Sequence, residues 1–180
     1  MKQLLVFVLS CFMISLCAQA DEIRDPETHF FQQSFGDLQE EITIAQDEEL
    51  FGVMIMFETN DCPWCERMKK TVLNQASVQD YFRGRFRILT LNIEGDTPIV
   101  DFAGQEITEK EFSLKHNRIR ATPAFLFFDK NGERVMRFTG TTKDPQEFLW
   151  LGEFVADGHF QTDKFPLFKR QRREALEQQS

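Results

Sequence analysis

Positive charge is in short supply. The chain sets 21 Lys+Arg against 29 Asp+Glu, a formal net charge of −8. That balance argues against a nucleic-acid-binding surface, which needs clustered cations to meet phosphates. Tyr (1) and Trp (2) are scarce while Phe reaches 20. Phe buries area without asking for a hydrogen-bond partner, so this bias predicts a Phe-rich core and not an aromatic binding stripe. After residue 20 no apolar run is long enough to cross a bilayer. Internal repeats and low-complexity linkers are also missing. What remains, 180 residues with 42% hydrophobic side chains, suits one domain able to bury a core without staples.

The first twenty residues are of another kind. Met1–Lys2 gives a positive start, Leu4 to Cys17 is almost unbroken apolar sequence, and Ala18–Gln19–Ala20 precedes acidic Asp21–Glu22. This is the pattern of a secretory signal peptide, with cleavage expected after Ala20. An uncleaved membrane anchor is the alternative, although the stretch is short for a span. Leu16 before Cys17 spoils a lipoprotein site. The expected organisation is therefore a signal peptide over 1–20, a domain over 21–168 and a charged tail over 169–180, read as a solvated helix in preference to a binding arm, in an exported protein without stable membrane insertion.

Four cysteines occur, and removal of the signal takes Cys11 and Cys17 with it. Cys62 and Cys65 remain, three residues apart. A bridge over so short a loop removes little entropy from the unfolded chain, so structural stapling explains the pair poorly. Chemistry explains it better.

Patterning places the pair. Asp25–Pro26 is a cap followed by Pro at the first helical position, and Phe31, Phe35, Leu38, Ile42 and Ala45 recur at helical spacing; together they predict one helix ending near Asp47–Glu49. Leu50 to Phe57 is a strand covered on both faces. Cys62 to about Asn74 is a helix, with Pro63 tolerated in its first turn. Phe86 to Ile93 is a second strand, Glu94 to Ile107 a long loop or small hairpin, and Thr108 to Glu111 has capping-box spacing. Ala121 to Phe128 is a third strand, joined through Asn131–Gly132 to a partner at Arg134 to Phe138. Asp144–Pro145 opens a last helix whose buried face is Phe148, Leu151 and Val155. This order describes an α/β sandwich around a mixed sheet.

Cys62–Pro63–Trp64–Cys65 thus lies where a buried strand gives way to a helix. The free N–H groups and dipole of a helix N-terminus favour negative charge, hence a thiolate, and only the thiolate attacks a disulfide. Cys65, Met68 and Val72 share the face that must pack on the sheet, so Cys65 is expected to be shielded and Cys62 exposed. Cys62 is then the nucleophile and Cys65 the resolving thiol. Glu66, Arg67, Lys69 and Lys70 are expected on the solvated face, with Arg67 a weak electrostatic aid to the thiolate at most. Half of a zinc site is the competing explanation, but zinc wants four ligands and His29, His116 and His159 are scattered. No metal site is expected.

From about Leu50 to Val155 the chain resembles the thioredoxin-fold family. The likeness rests on the Cys-x-x-Cys, on Leu91–Asn92–Ile93–Glu94, on Arg118 to Ala124 followed by Phe125 to Phe128, and on Lys130–Asn131–Gly132–Glu133. It implies a three-layer sandwich with a mixed central sheet and helices on both faces, here with an extra N-terminal helix. It also implies a cis peptide bond before Pro123, beside the cysteines, and a substrate-binding role for Trp64, Thr122 and Pro123, with the backbone of Thr122 pairing with an incoming peptide. An ordinary trans Pro123 is the alternative. The leader, Cys-Pro-Trp-Cys and the 94–107 insertion are similar to periplasmic thioredoxin-like proteins of the sulfur-oxidation-associated type. Two positions depart from cytosolic thioredoxins: Met56 stands where the buried aspartate is, and Thr90 where the strand lysine is. Glu58 or water must then assist the resolving thiol, and Pro63 stiffens the link between the two sulfurs.

The resulting expectation is an exported thiol–disulfide oxidoreductase that reduces protein disulfides. It needs no cofactor beyond its own redox-active disulfide Cys62–Cys65, and is recycled by a membrane redox partner. Oxidase or isomerase activity at the same site, or a copper(I)-carrying function of the two thiolates, are the alternatives.

Overall fold

The computed structural model describes residues 21–178; the expected signal peptide lies outside the described residues. Strands β1 (Gly52–Glu58), β2 (Phe86–Asn92), β5 (Ala124–Asp129) and β6 (Arg134–Thr139) form one sheet in the order β2-β1-β5-β6. β1 pairs parallel with β2 and antiparallel with β5, and β5 pairs antiparallel with β6. Helices cover both faces. Met54, Met56, Ile88, Phe125 and Phe127 point into one core, shared with α3 (Pro63–Thr71), α4 (Ala76–Arg83) and α6 (Pro145–Ala156). Val53, Ile55, Phe57, Leu89, Leu91, Leu126 and Phe128 point into the other, with Leu38 of α2 (Leu38–Asp47) and Phe112. This two-sided covering is why β1 and β5 are apolar almost throughout instead of alternating. The three-layer mixed α/β sandwich is as the sequence predicts.

The Phe excess has a location. The Phe82 ring stacks on Phe148 at 4.5 Å and meets Phe86 at 5.7 Å and Phe30 at 5.9 Å, all four fully buried. Tyr81 beside it is the single tyrosine. Its hydroxyl has no hydrogen-bond partner among the described residues, and burial pushes the phenol up to about 12, against the opposing charge of Arg85. Titration of phenolate absorbance is expected to give a midpoint near 12 instead of the ordinary 10. The folded state holds this proton more tightly than the unfolded one. Its contribution to stability is therefore intact below the ordinary value and is lost as pH rises through the folded one.

Several elements differ from the sequence reading. The single N-terminal helix is two: α1 (Pro26–His29) and α2, capped by the Asp25 and Asp37 side chains respectively. Gly36 sits between them at φ +86°, a left-handed conformation that ends any continuous helix there. The interruption leaves Phe35 fully exposed, not on a buried face. It also lets Gln32 reach the edge of the sheet, where its N–H donates to the Ile88 carbonyl (2.9 Å) and its side-chain oxygen accepts from the Ile88 N–H (2.5 Å). Glu41 of α2 pairs with Arg87 of β2 at 2.5 Å and fixes the helix to the same strand. Helix α4 occupies the stretch between the cysteine helix and the second strand, and its buried Ala76, Gln79 and Phe82 carry the helical spacing.

The 94–107 region is a small hairpin, β3 (Pro98–Val100) with β4 (Glu106–Thr108), followed by α5 (Glu109–Glu111), where Thr108 Oγ1 accepts from the Glu111 N–H at 3.1 Å. Gly132, at φ +76°, makes the β5–β6 turn, and Asp144 caps α6 by accepting from the Glu147 N–H at 2.9 Å. The charged tail from Lys169 is helical, as the second half of α7 (Phe165–Glu177), and Lys169–Glu147 (2.8 Å) and Arg172–Glu153 (2.5 Å) tie it to α6.

Candidate active site

The strand register brings the site together. Phe57, near the end of β1, is opposite Ala124, the first residue of β5, so Pro123 arrives beside the chain that leaves β1 for Cys62. Cys62 is the N-cap of α3, and Pro63 occupies the first helical position, where its missing N–H costs nothing. Cys62 and Cys65 are joined in a disulfide with Cα atoms 5.2 Å apart. The Thr122–Pro123 peptide bond is cis. Thr122 Oγ1 donates to Cys62 Sγ at 3.3 Å, and the Cys65 N–H donates to the same sulfur at 3.1 Å.

Cys65, Met68 and Val72 are buried as their spacing demands. Cys62 is a correction: it was expected exposed, yet only 6% of it is accessible, against 2% for Cys65. Thr122, whose hydroxyl donates to it, covers the sulfur that the helix end alone would leave open. The order of accessibility survives and still makes Cys62 the sulfur a substrate can reach. Trp64 projects from the helix with 57% of its surface exposed, and the Arg67 guanidinium lies 5.7 Å from its ring centroid.

Two donors aimed at one sulfur favour its charged form, because a thiolate accepts more strongly than a thiol or a disulfide. In the reduced protein Thr122→Val, which keeps shape and removes one donor, is expected to slow attack by Cys62 about tenfold at neutral pH. The deficit should shrink in alkali, where the thiolate forms unaided; a pH profile of the exchange rate checks this.

Lys69 is the second correction on α3. It is not on the solvated face: its ammonium contacts Glu27 at 2.8 Å and Glu58 at 2.9 Å, with 14% of the side chain exposed. Burial pulls its pKa down, but the hydrogen bonds to Glu27 and Glu58 outweigh that and leave it raised. Thr90 Oγ1 donates to Glu58 as well, at 3.0 Å. Glu58 at the end of β1 is thus a half-buried carboxylate clasped by α3 and β2, two positions along the strand from Met56. Sequence reasoning found Glu58 but missed Lys69, since a cation on a charged helix gives no sign of its partner on a distant strand. The histidines remain apart: the His116 ring is 3.9 Å from Asp101, His159 packs on Phe168, and His29 bonds Thr28. Among the described residues no three His, Cys, Asp or Glu side chains group as a metal site would require.

A family model described as a thioredoxin-like domain matches residues 38–156, about two thirds of the chain. The chain belongs to the thioredoxin-like family. Its Cys62–Cys65 couple equips this thioredoxin-like protein as a thiol–disulfide oxidoreductase. Solved structures agree with the fold. A thioredoxin-fold protein from Helicobacter pylori is 26% identical with TM-score 0.53, the match covering 70% of this chain and 81% of that one. A candidate disulphide isomerase from Bacteroides thetaiotaomicron is 28% identical with TM-score 0.53, covering 77% and 96%. A thioredoxin from Thermus thermophilus is 25% identical with TM-score 0.54, covering 71% and 87%. No curated protein matches the chain.

Proposed function

We propose that the protein is an exported reductase of protein disulfides. The observation that carries this reading is the Cys62 sulfur at the N-terminus of α3, with two hydrogen-bond donors on it and its partner Cys65 beneath. In the reduced state the Cys62 thiolate attacks one sulfur of a substrate disulfide, forming a mixed disulfide and expelling the other substrate sulfur as thiolate. Cys65 then loses its proton, attacks Cys62 Sγ and expels the second substrate thiolate, leaving the Cys62–Cys65 bond. Two electrons pass from the protein dithiol to the substrate. Trp64, Thr122 and Pro123 form the contact surface for the substrate chain, Pro63 stiffens the dithiol, and Glu58 assists the proton of Cys65.

The leader at 1–20 supports export to the periplasm with cleavage after Ala20, and among the described residues no helix is long and apolar enough to cross a membrane. A membrane redox partner would return the dithiol to its reduced state, and the resemblance to the sulfur-oxidation-associated type supports thiols of exported partners as the substrates. Direction is decided by the reduction potential, measured in thiol–disulfide buffers. A value near about −270 mV is expected, whereas one near about −120 mV would make the protein an oxidant.

A further inference from the structure

We propose that Arg67, Arg120 and Lys143 form an electropositive rim around Cys62 that selects substrates whose target disulfide is flanked by acidic residues. The inference deepens the exchange reading above and rests on it. The three cations come from the three segments that frame the sulfur. Arg67 is on α3 beside exposed Trp64. Arg120 is two residues before Thr122, whose hydroxyl touches Cys62 Sγ. Lys143 follows Thr142, whose hydroxyl is 3.9 Å from Met68 Sδ of α3, and the same loop is tied to the cis-proline by the Gly140 N–H on the Pro123 carbonyl at 2.8 Å.

All three are exposed, and none has a carboxylate partner among the described residues. Their neighbours on α3 differ: Lys69 is neutralised by Glu27 and Glu58, and Lys70 by Glu66 at 3.0 Å. On these framing segments Asp61 is the one exposed carboxylate without a partner of its own, and it leaves the cations in excess. A chain with net charge −8 therefore carries a local positive surplus at its reactive sulfur. An acidic segment is repelled by the molecule at large and attracted at that rim, which orients its disulfide toward Cys62 and disfavours basic partners.

The test uses two synthetic peptides, each closed by one disulfide and identical except for Glu or Lys residues on both sides of it. The second-order rate at which each oxidises the reduced protein is followed by tryptophan fluorescence. At low ionic strength the Glu-flanked peptide is expected to react about tenfold faster, a ratio that falls toward one in high salt. The double substitution Arg120→Glu with Lys143→Glu is expected to invert the preference. Equal rates at low salt, or a preference untouched by that substitution, overturn the rim while leaving exchange intact. No reaction with either peptide overturns the exchange reading itself, and the rim with it.

Discussion

Cys62→Ala is expected to reduce disulfide-reductase turnover to the level of uncatalysed thiol background. It removes the sulfur that both hydrogen bonds serve, and the remaining Cys65, 2% accessible beneath the helix start, offers a substrate no surface to meet. Cys65→Ala is expected to fail differently. Cys62 still attacks, but nothing resolves the mixed disulfide, so turnover stops after one event and a covalent adduct accumulates. Non-reducing electrophoresis and intact mass identify the adduct, and in the native compartment its second half is the physiological substrate. Undiminished turnover in both variants would falsify the dithiol mechanism.

The largest stability effect is expected at Phe82. Its ring is the hub where Phe30, Tyr81, Phe86 and Phe148 meet, joining α4 to β2 and α6. Phe82→Ala removes the stacked partner of Phe148 and leaves a void among rings too large to close it, for a loss of about 3–5 kcal/mol. That is a large share of the roughly 5–15 kcal/mol by which domains are stable. Denaturant unfolding reports it as a lower midpoint at unchanged slope; a loss below about 1 kcal/mol would mean the cluster repacks freely.

Features set by neighbouring residues were legible in the sequence. The capped starts at Asp25 and Asp144, the Asn131–Gly132 turn, the strands and the cysteine pair all depend on a few adjacent side chains, and the chain adopts them. Pairings across long separations were not legible. Nothing around Lys69 signals Glu27 or Glu58. The family resemblance sets Thr122–Pro123 beside the cysteines, but no local pattern around Cys62 signals that the Thr122 hydroxyl covers its sulfur. The first helix misled for a related reason. Phe31 and Phe35 kept helical spacing, but Ser34 and Gly36 between them and Asp37 favour a break, and local capping won over periodicity. Helix α4 carries a signal of its own, in Ala76, Gln79 and Phe82 before Gly84.

The pair of hydrogen bonds between Gln32 and Ile88 has a wider consequence. A sheet that ends in β2 would offer its outer peptide groups to any extended chain, an invitation to polymerise. One glutamine, held by an arm that leaves α1 and turns back at Gly36, blocks that ladder as a bolt blocks a door. The arm thus closes the β2 flank of the sheet to strand addition near Ile88, at a distance along the chain from the cysteine pair.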